Sequence, residues 1–299
     1  MSFKFNSIAL LLSSLLTGSG AWVGYELYKP KTVKGWVEWK GLKLASETDE
    51  NIWKALYFQN ESELQGTTKS AEELKKTCVE YWKKPIENKN LEYVEKFCVN
   101  VLKSRKARII AEGFDKAIFL STDEDYKLAY TFNRYSDSFL ALLGSDKATR
   151  DSEIDEQDSE LLRIYKNHCE TALNTNDTKI NVTKQICSKQ YEYVTAEDKL
   201  KHDGYELKTD KELEDSWDTW KGSKSKNYLV GNSLLEDIKD RNGGDDSWIK
   251  LQDNKKEFGI RFKAWCQEQK VEKLFKRNFY KDIYPKFKNR CGTPKAAKT

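Results

Sequence analysis

A chain of 299 residues carries 52 Lys and Arg against 48 Asp and Glu, a formal net charge of +4, with 33% charged and 12% aromatic residues. Its mean hydropathy of -0.80 excludes a polytopic membrane protein, and the interspersion of both signs leaves nucleic acid as a disfavoured partner, since such binders concentrate charge in a basic stripe. The length suits one large domain or two to three small ones, with cores that lean on Trp, Tyr and Phe rather than on aliphatic runs.

Residues 1–28 read as a signal peptide or transmembrane anchor. From Phe5 to Tyr25 (FNSIALLLSSLLTGSGAWVGY) no residue is charged, with Lys4 before the run and Glu26 after it. About 20 apolar residues span a bilayer as a helix, so residues 5–25 are expected to meet lipid. A short apolar stretch behind a basic residue also describes an export signal, for which Ser19 and Ala21 offer a small-x-small cleavage site. The run contains no cysteine and hence no lipid-anchor box. Lys29, Lys31 and Lys34 follow it and, by the positive-inside rule, would hold the body in the cytoplasm; the cysteines below argue the other way.

Next, WVEWKG sets Trp36 and Trp39 three apart on one helical face, a spacing that returns at Trp217 and Trp220 in WDTWKG. These four are the candidate partner-binding residues, because tryptophan is a favoured interface anchor. Packing in a core or between modules is the competing reading.

The six cysteines, Cys78, Cys98, Cys169, Cys187, Cys266 and Cys291, are separated by alternately short and long intervals. Six cysteines allow about 15 connectivities; the spacing favours three local pairs. No CxxC occurs and the chain has 2 histidines, so structural zinc is not expected. Leu74, Tyr165 and Phe262 stand four residues before the first cysteine of each pair, with Ala71, Leu162 or Phe258 a further turn back. Val94, Thr183 and Phe287 stand four before the second, and Leu91, Ile180 and Tyr284 seven before. Each pair therefore reads as two amphipathic helices whose apolar seams carry one cysteine apiece. Turn-forming stretches such as KKPIENKN and LNTNDT lie between them, and such a hairpin brings the thiols to the roughly 5.5–6 Å Cα spacing that a disulfide needs.

A second element recurs ahead of the hairpins. ASETDENIWKAL, LSTDEDYKLAYTF and LKTDKELEDSWDTW each place Thr-Asp before a helical pattern bearing Trp53, Tyr130 or Trp217. Ser70/Glu73, Ser121/Glu124 and Thr209/Glu212 have capping-box spacing. The expected fold class is thus mostly α: an N-terminal apolar signal-anchor helix followed by repeated disulfide-stapled helical modules at 29–105, 106–195 and 196–299. Closing a loop of about 20 residues stabilises by about 3 kcal/mol, a large share of a small module's stability.

An even cysteine count and an export-like start favour an oxidising compartment, with the bulk of the chain outside the cytoplasmic membrane, or secreted if the leader is cleaved. The alternative is a tethered cytoplasmic protein with reduced thiols, its basic stretch from Lys270 to Lys298 touching acidic lipid or nucleic acid. Those lysines otherwise read as a solvated helix face and a frayed tail.

The combination of SIALLLSSLLTGSGAWVGY, FLSTDEDYKLAYTF, and LKKTCVEYW answered by YVEKFC resembles the expanded paralogous families of hypothetical surface and membrane proteins of haemotropic mycoplasmas. The resemblance implies a surface-exposed, non-enzymatic protein facing a host protein or surface ligand and contributing to antigenic diversity. It carries no catalytic residue onto this chain.

Catalytic and cofactor motifs are not found in the sequence. His168 and Cys169 are adjacent, and neighbours on a helix point about 100° apart, so they form no dyad with each other. His202 sits in a charged turn. DRNGGDDSW has Gly244 where a calcium loop needs an oxygen ligand and Leu251 where it needs the closing glutamate. The Gly18-x-Gly20 pair lies inside the apolar run rather than after a strand. No cofactor, metal or acid–base pair is expected.

Overall fold

The computed structural model describes residues 29–154, 159–221, 234, 237, 238 and 254–295. The apolar run at 5–25 and the DRNGGDDSW stretch lie outside these. Among the described residues the chain is mostly helical, and no helix is long and apolar enough to cross a membrane. The contacts divide into two compact units: the described residues through Lys116 together with Asn174–Ile180, and Ala117–Leu173 together with the described residues from Asn181 onward.

In the first unit, α1 (Val33–Trp39) begins at Thr32, whose hydroxyl accepts the Gly35 N–H, and buries Val33 and Val37. Helix α2 (Glu50–Gln59) is capped by Asp49 and followed by the single turn α3 (Glu61–Leu64). Helices α4 (Ala71–Trp82) and α5 (Asn88–Phe97) form the first cysteine hairpin, and α6 (Arg105–Ala111) follows. One core joins them: Val33 and Val37 from α1, Trp53 and Leu56 from α2, and the seam Leu74, Cys78, Trp82, Val94, Phe97 and Cys98. At about 25 cal/mol per Å² of apolar surface, the large rings of Trp53 and Trp82 contribute most per residue. The Trp53 indole N–H is satisfied by the Ser46 carbonyl at 2.8 Å.

The second unit opens with α7 (Asp123–Asn133) and α8 (Asp137–Leu143). Helices α9 (Ser159–Asn174) and α10 (Asn181–Cys187) make the second hairpin. Tyr126, Tyr130 and Phe139 set their rings edge-on to Tyr165, with centroids 5.2–6.4 Å apart. Then come α11 (Ala196–His202), β1 (Tyr205–Leu207), α12 (Asp210–Asp215), α13 (Trp217–Lys221) and α14 (Lys255–Lys270). A π-turn at Phe279–Ile283 leads into α15 (Tyr284–Cys291) and β2 (Gly292–Pro294). Strands β1 and β2 pair antiparallel, Leu207 opposite Gly292 and Tyr205 opposite Pro294. One apolar cluster runs from Leu128 and Tyr193 through Leu200, Phe258, Phe262 and Cys266 to Phe287 and Cys291. It therefore draws side chains from both sides of the expected boundary at residue 195.

The cap registers follow local chemistry. Thr209/Glu212 closes as a reciprocal capping box, as expected. In the stretch STDED the box instead forms one residue later, between Thr122 and Asp125. The Asp125 carboxylate accepts from the N–H of both Ser121 and Thr122, while Glu124 turns outward to Lys273. Ser70 caps α4 through the Glu73 N–H, but the Glu73 carboxylate reaches Lys69 N–H rather than that of Ser70.

Two backbone hydrogen bonds recur around each cysteine pair. The first N–H of a short helix, at Val33, Arg105 and Ala196, donates to a carbonyl six residues beyond the first cysteine, at Lys84, Thr175 and Glu272, at 3.1, 2.9 and 3.0 Å. The N–H of Ala45, Leu120 and Lys208 donates to the carbonyl of the second cysteine, Cys98, Cys187 and Cys291, at 3.0, 3.1 and 2.9 Å. In each case the preceding residue bridges to the one after that cysteine: Leu44 to Val99, Phe119 to Ser188, Leu207 to Gly292.

Candidate functional site

All six cysteines are in local disulfides, Cys78–Cys98, Cys169–Cys187 and Cys266–Cys291, with Cα atoms 5.7, 5.4 and 5.8 Å apart. The helical seams dictate this. Leu74, Tyr165 and Phe262 are fully buried one turn before the first cysteines, and Val94, Thr183 and Phe287 are buried one turn before the second. The bridges are therefore enclosed by apolar side chains, and Cys169, adjacent to His168, offers no thiol for nucleophilic chemistry.

The tryptophan candidates separate. Trp39, at the end of α1, is 60% exposed. Its ring lies against Trp36 with centroids 5.2 Å apart; Trp36 is half-buried, with the Lys40 ammonium 5.7 Å from its ring centre. Trp217 is half-buried and packs against the core of the second unit, as the packing reading expects. The Trp220 side chain lies outside the described residues. Of this pair, Trp39 presents its ring to solvent and Trp36 backs it.

Three polar clusters escaped the sequence reading. Arg134 is 1% exposed. It donates to the Ser152 carbonyl, the Tyr135 hydroxyl and Glu153, each at 2.8–3.0 Å. The second oxygen of Glu153 accepts the N–H of Asn278, a left-handed residue at φ 58°, so one buried ion pair fastens two loops. Asp203, at the end of α11, takes hydrogen bonds from Lys288 at 2.8 Å, from the Tyr284 hydroxyl at 2.9 Å and from Lys199. Burial pushes the Asp203 carboxyl up, but those three donors outweigh it and hold the group well below the usual carboxylate range. Burial, then the bond to Asp203, pushes the Tyr284 phenol far up, and burial raises that of neighbouring Tyr193 to about 12. Arg290 is fully buried, its guanidinium 5.0 Å from the Trp265 ring centre and 2.5 Å from Asp237.

Within the basic carboxyl-terminal stretch the cations divide. Lys273 and Lys281 stay about half exposed in surface pairs with Glu124 and Asp151, while Lys288 reaches Asp203 and Lys286 and Arg290 reach Asp237. Arg290 and Lys286 are buried. The sequence signal that separates them from a surface run is their position: Lys286 and Arg290 flank Phe287 on the inward face of α15.

Open grooves of about 520 and 690 Å³ lie in the first unit. The larger sets Glu47, Glu50 and Glu72 among Lys54, Lys75 and Lys76, with Lys75 and Glu50 paired at 2.6 Å. Among the described residues no three His, Cys, Asp or Glu side chains gather closely enough to hold a metal ion. No protein-family model, curated protein or solved structure matches the chain.

Proposed function

We propose that the chain is a membrane-tethered, non-enzymatic surface protein, its body displayed outside the cytoplasmic membrane as three disulfide-stapled helical modules that meet host molecules and vary antigenically. The observation that carries this reading is the complete local pairing of all six cysteines within enclosed helical seams. Disulfides of this kind persist in oxidising compartments and are rare in cytosolic proteins. The recurring backbone hydrogen bonds support three copies of one module: short helix, bridge, capped helix, connector, stapled hairpin, closing bridge. The apolar run at 5–25 supplies the tether, and the exposed Trp39 ring, backed by Trp36, is the best-placed aromatic contact surface among the described residues.

Titration of thiols in the denatured, unreduced protein taken from its native cells tests the compartment. No reactive thiol is expected, and six would return the chain to the cytoplasm. Protease treatment of intact cells is then expected to remove the body while leaving cytoplasmic markers whole.

A further inference from the structure

We propose that the outward face of α1, with the lysines around it, seats on an anionic lipid surface, the headgroup layer beside the point where residues 5–25 enter the bilayer. This rests on the tethered reading above and adds to it a specific lipid contact.

Charge gives the first argument. Residues 29–43 hold Lys29, Lys31, Lys34, Lys40 and Lys43 against Glu38 alone, an excess of four that equals the net charge of the whole chain; the remainder has 47 basic and 47 acidic residues. Of the five, Lys40 is paired with Glu95 at 2.7 Å, whereas Lys34 reaches Glu38 only at 4.0 Å with both side chains about half exposed. Among the described residues Lys31 and Lys43 enter no ion pair. Each lysine near an anionic membrane contributes about 1 kcal/mol.

The second argument is the aromatic group. Trp39 offers a large ring to solvent at the centre of this basic segment, backed by Trp36. Indoles concentrate at headgroup depth, where one side of the ring is apolar and the other wet.

Direction and reach give the third. A Cβ on Gly35 would stand 3.2 Å from the Pro30 Cβ, so Pro30 lies against the face of α1 one turn before Trp39. The chain thus enters the unit on the side that carries the exposed indole. From Tyr25 to Pro30 a fully extended chain covers at most about 18 Å. The headgroup layer takes up roughly 5–8 Å of that, leaving a gap of about one helix diameter of 10–12 Å. The tether therefore holds this face close to the membrane surface. The arrangement also gives the lysines behind the apolar run, which oppose export under the positive-inside rule, a role on the outer leaflet.

The test uses the full chain in phosphatidylcholine vesicles with and without phosphatidylglycerol, comparing wild type with Trp39→Phe. The difference signal isolates one indole of the nine in the chain. Expected is quenching of that signal by lipid brominated near the headgroup and its shielding from acrylamide, both only when phosphatidylglycerol is present. Neutralising Lys31, Lys34 and Lys43 to Gln lowers the docked-to-free ratio about 100-fold and removes the shielding. Equal acrylamide access in both vesicles, in a chain that resists alkaline extraction, overturns the docking while leaving the tether intact. A chain that alkali strips from the vesicles overturns the tether itself, and the docking with it.

Discussion

Replacing Cys78 and Cys98 together by Ala removes the first staple without leaving an odd thiol. The two residues are 20 apart and both fully buried among Leu74, Trp82, Val94 and Phe97. Loop-closure entropy for that separation gives about 3.3 kcal/mol at 25 °C, and the loss of buried sulfur adds a packing cost. For separations of 18 and 25, as in the other two bridges, the same relation gives about 3.2 and 3.5 kcal/mol, because the dependence on length is logarithmic. Urea unfolding without reductant is the assay, with hydrogen exchange to locate the change. The variant is expected to lose 3 kcal/mol or somewhat more, with a larger m-value as its unfolded chain expands, by the same loop-entropy estimate of about 3 kcal/mol. A loss below about 1 kcal/mol with an unchanged m-value refutes the argument that the bridges act by constraining the unfolded chain.

Two further predictions concern the cap and the partly buried carboxylate. Thr122→Ala removes the hydroxyl that accepts the Asp125 N–H and is expected to cost about 1 kcal/mol in thermal or urea unfolding, with Ser121→Ala costing less; the reverse order would restore the register read from the sequence. Asp203 has a lowered pKa in the folded chain, so its contribution is fully present above the ordinary carboxylate value of about 3.9 and is lost as pH falls through the folded value. Asp203→Asn is therefore expected to lower stability at neutral pH and to flatten the decline in acid between about pH 4 and 2; a variant that loses stability as steeply as wild type in that range removes Asp203 from the account.

The hairpins were legible because burial along α4, α9 and α14 follows the apolar positions closely: Phe258, Phe262, Trp265, Cys266 and Gln269 all face inward on α14. The cap at STDED was legible as a cap but not in register, since Ser-x-x-Glu and Thr-x-x-Asp overlap there. Helix phase decides between them: starting at Asp123 turns Tyr126 and Tyr130 onto the Tyr165 ring. The bridges Leu44–Val99 and Phe119–Ser188 consist of a single residue on each side, too short for any alternation to register. Buried Arg134 carries no sequence mark, because an arginine within a polar chain looks the same whether its partner is water or a carboxylate 19 residues away. Of the candidate contact residues, the sequence spacing marked Trp36 and Trp39 as a pair, but which ring faces solvent depends on the burial of Val33 and Val37 on the same helix.

The recurring hydrogen bonds suggest how such a chain tolerates change. Both are made by backbone groups, so they constrain the distance from each cysteine and leave the side-chain identities open; the residues at equivalent positions are Val33, Arg105 and Ala196, or Ala45, Leu120 and Lys208, with nothing in common but an N–H. What has to be kept for each unit to close is the apolar seam, the cysteine and a six-residue interval to the accepting carbonyl. The connectors between the capped helix and the first cysteine helix differ most in length. They span 60–70, 134–158 and 216–254, differing more than twofold in length, and loop closure grows only slowly costlier with length. Under the proposed surface role, connector length, and the connector positions away from anchors such as Leu64, Phe139, Glu153 and Asp237, are where the chain can diverge at least cost to the fold, while the stapled hairpins hold the framework.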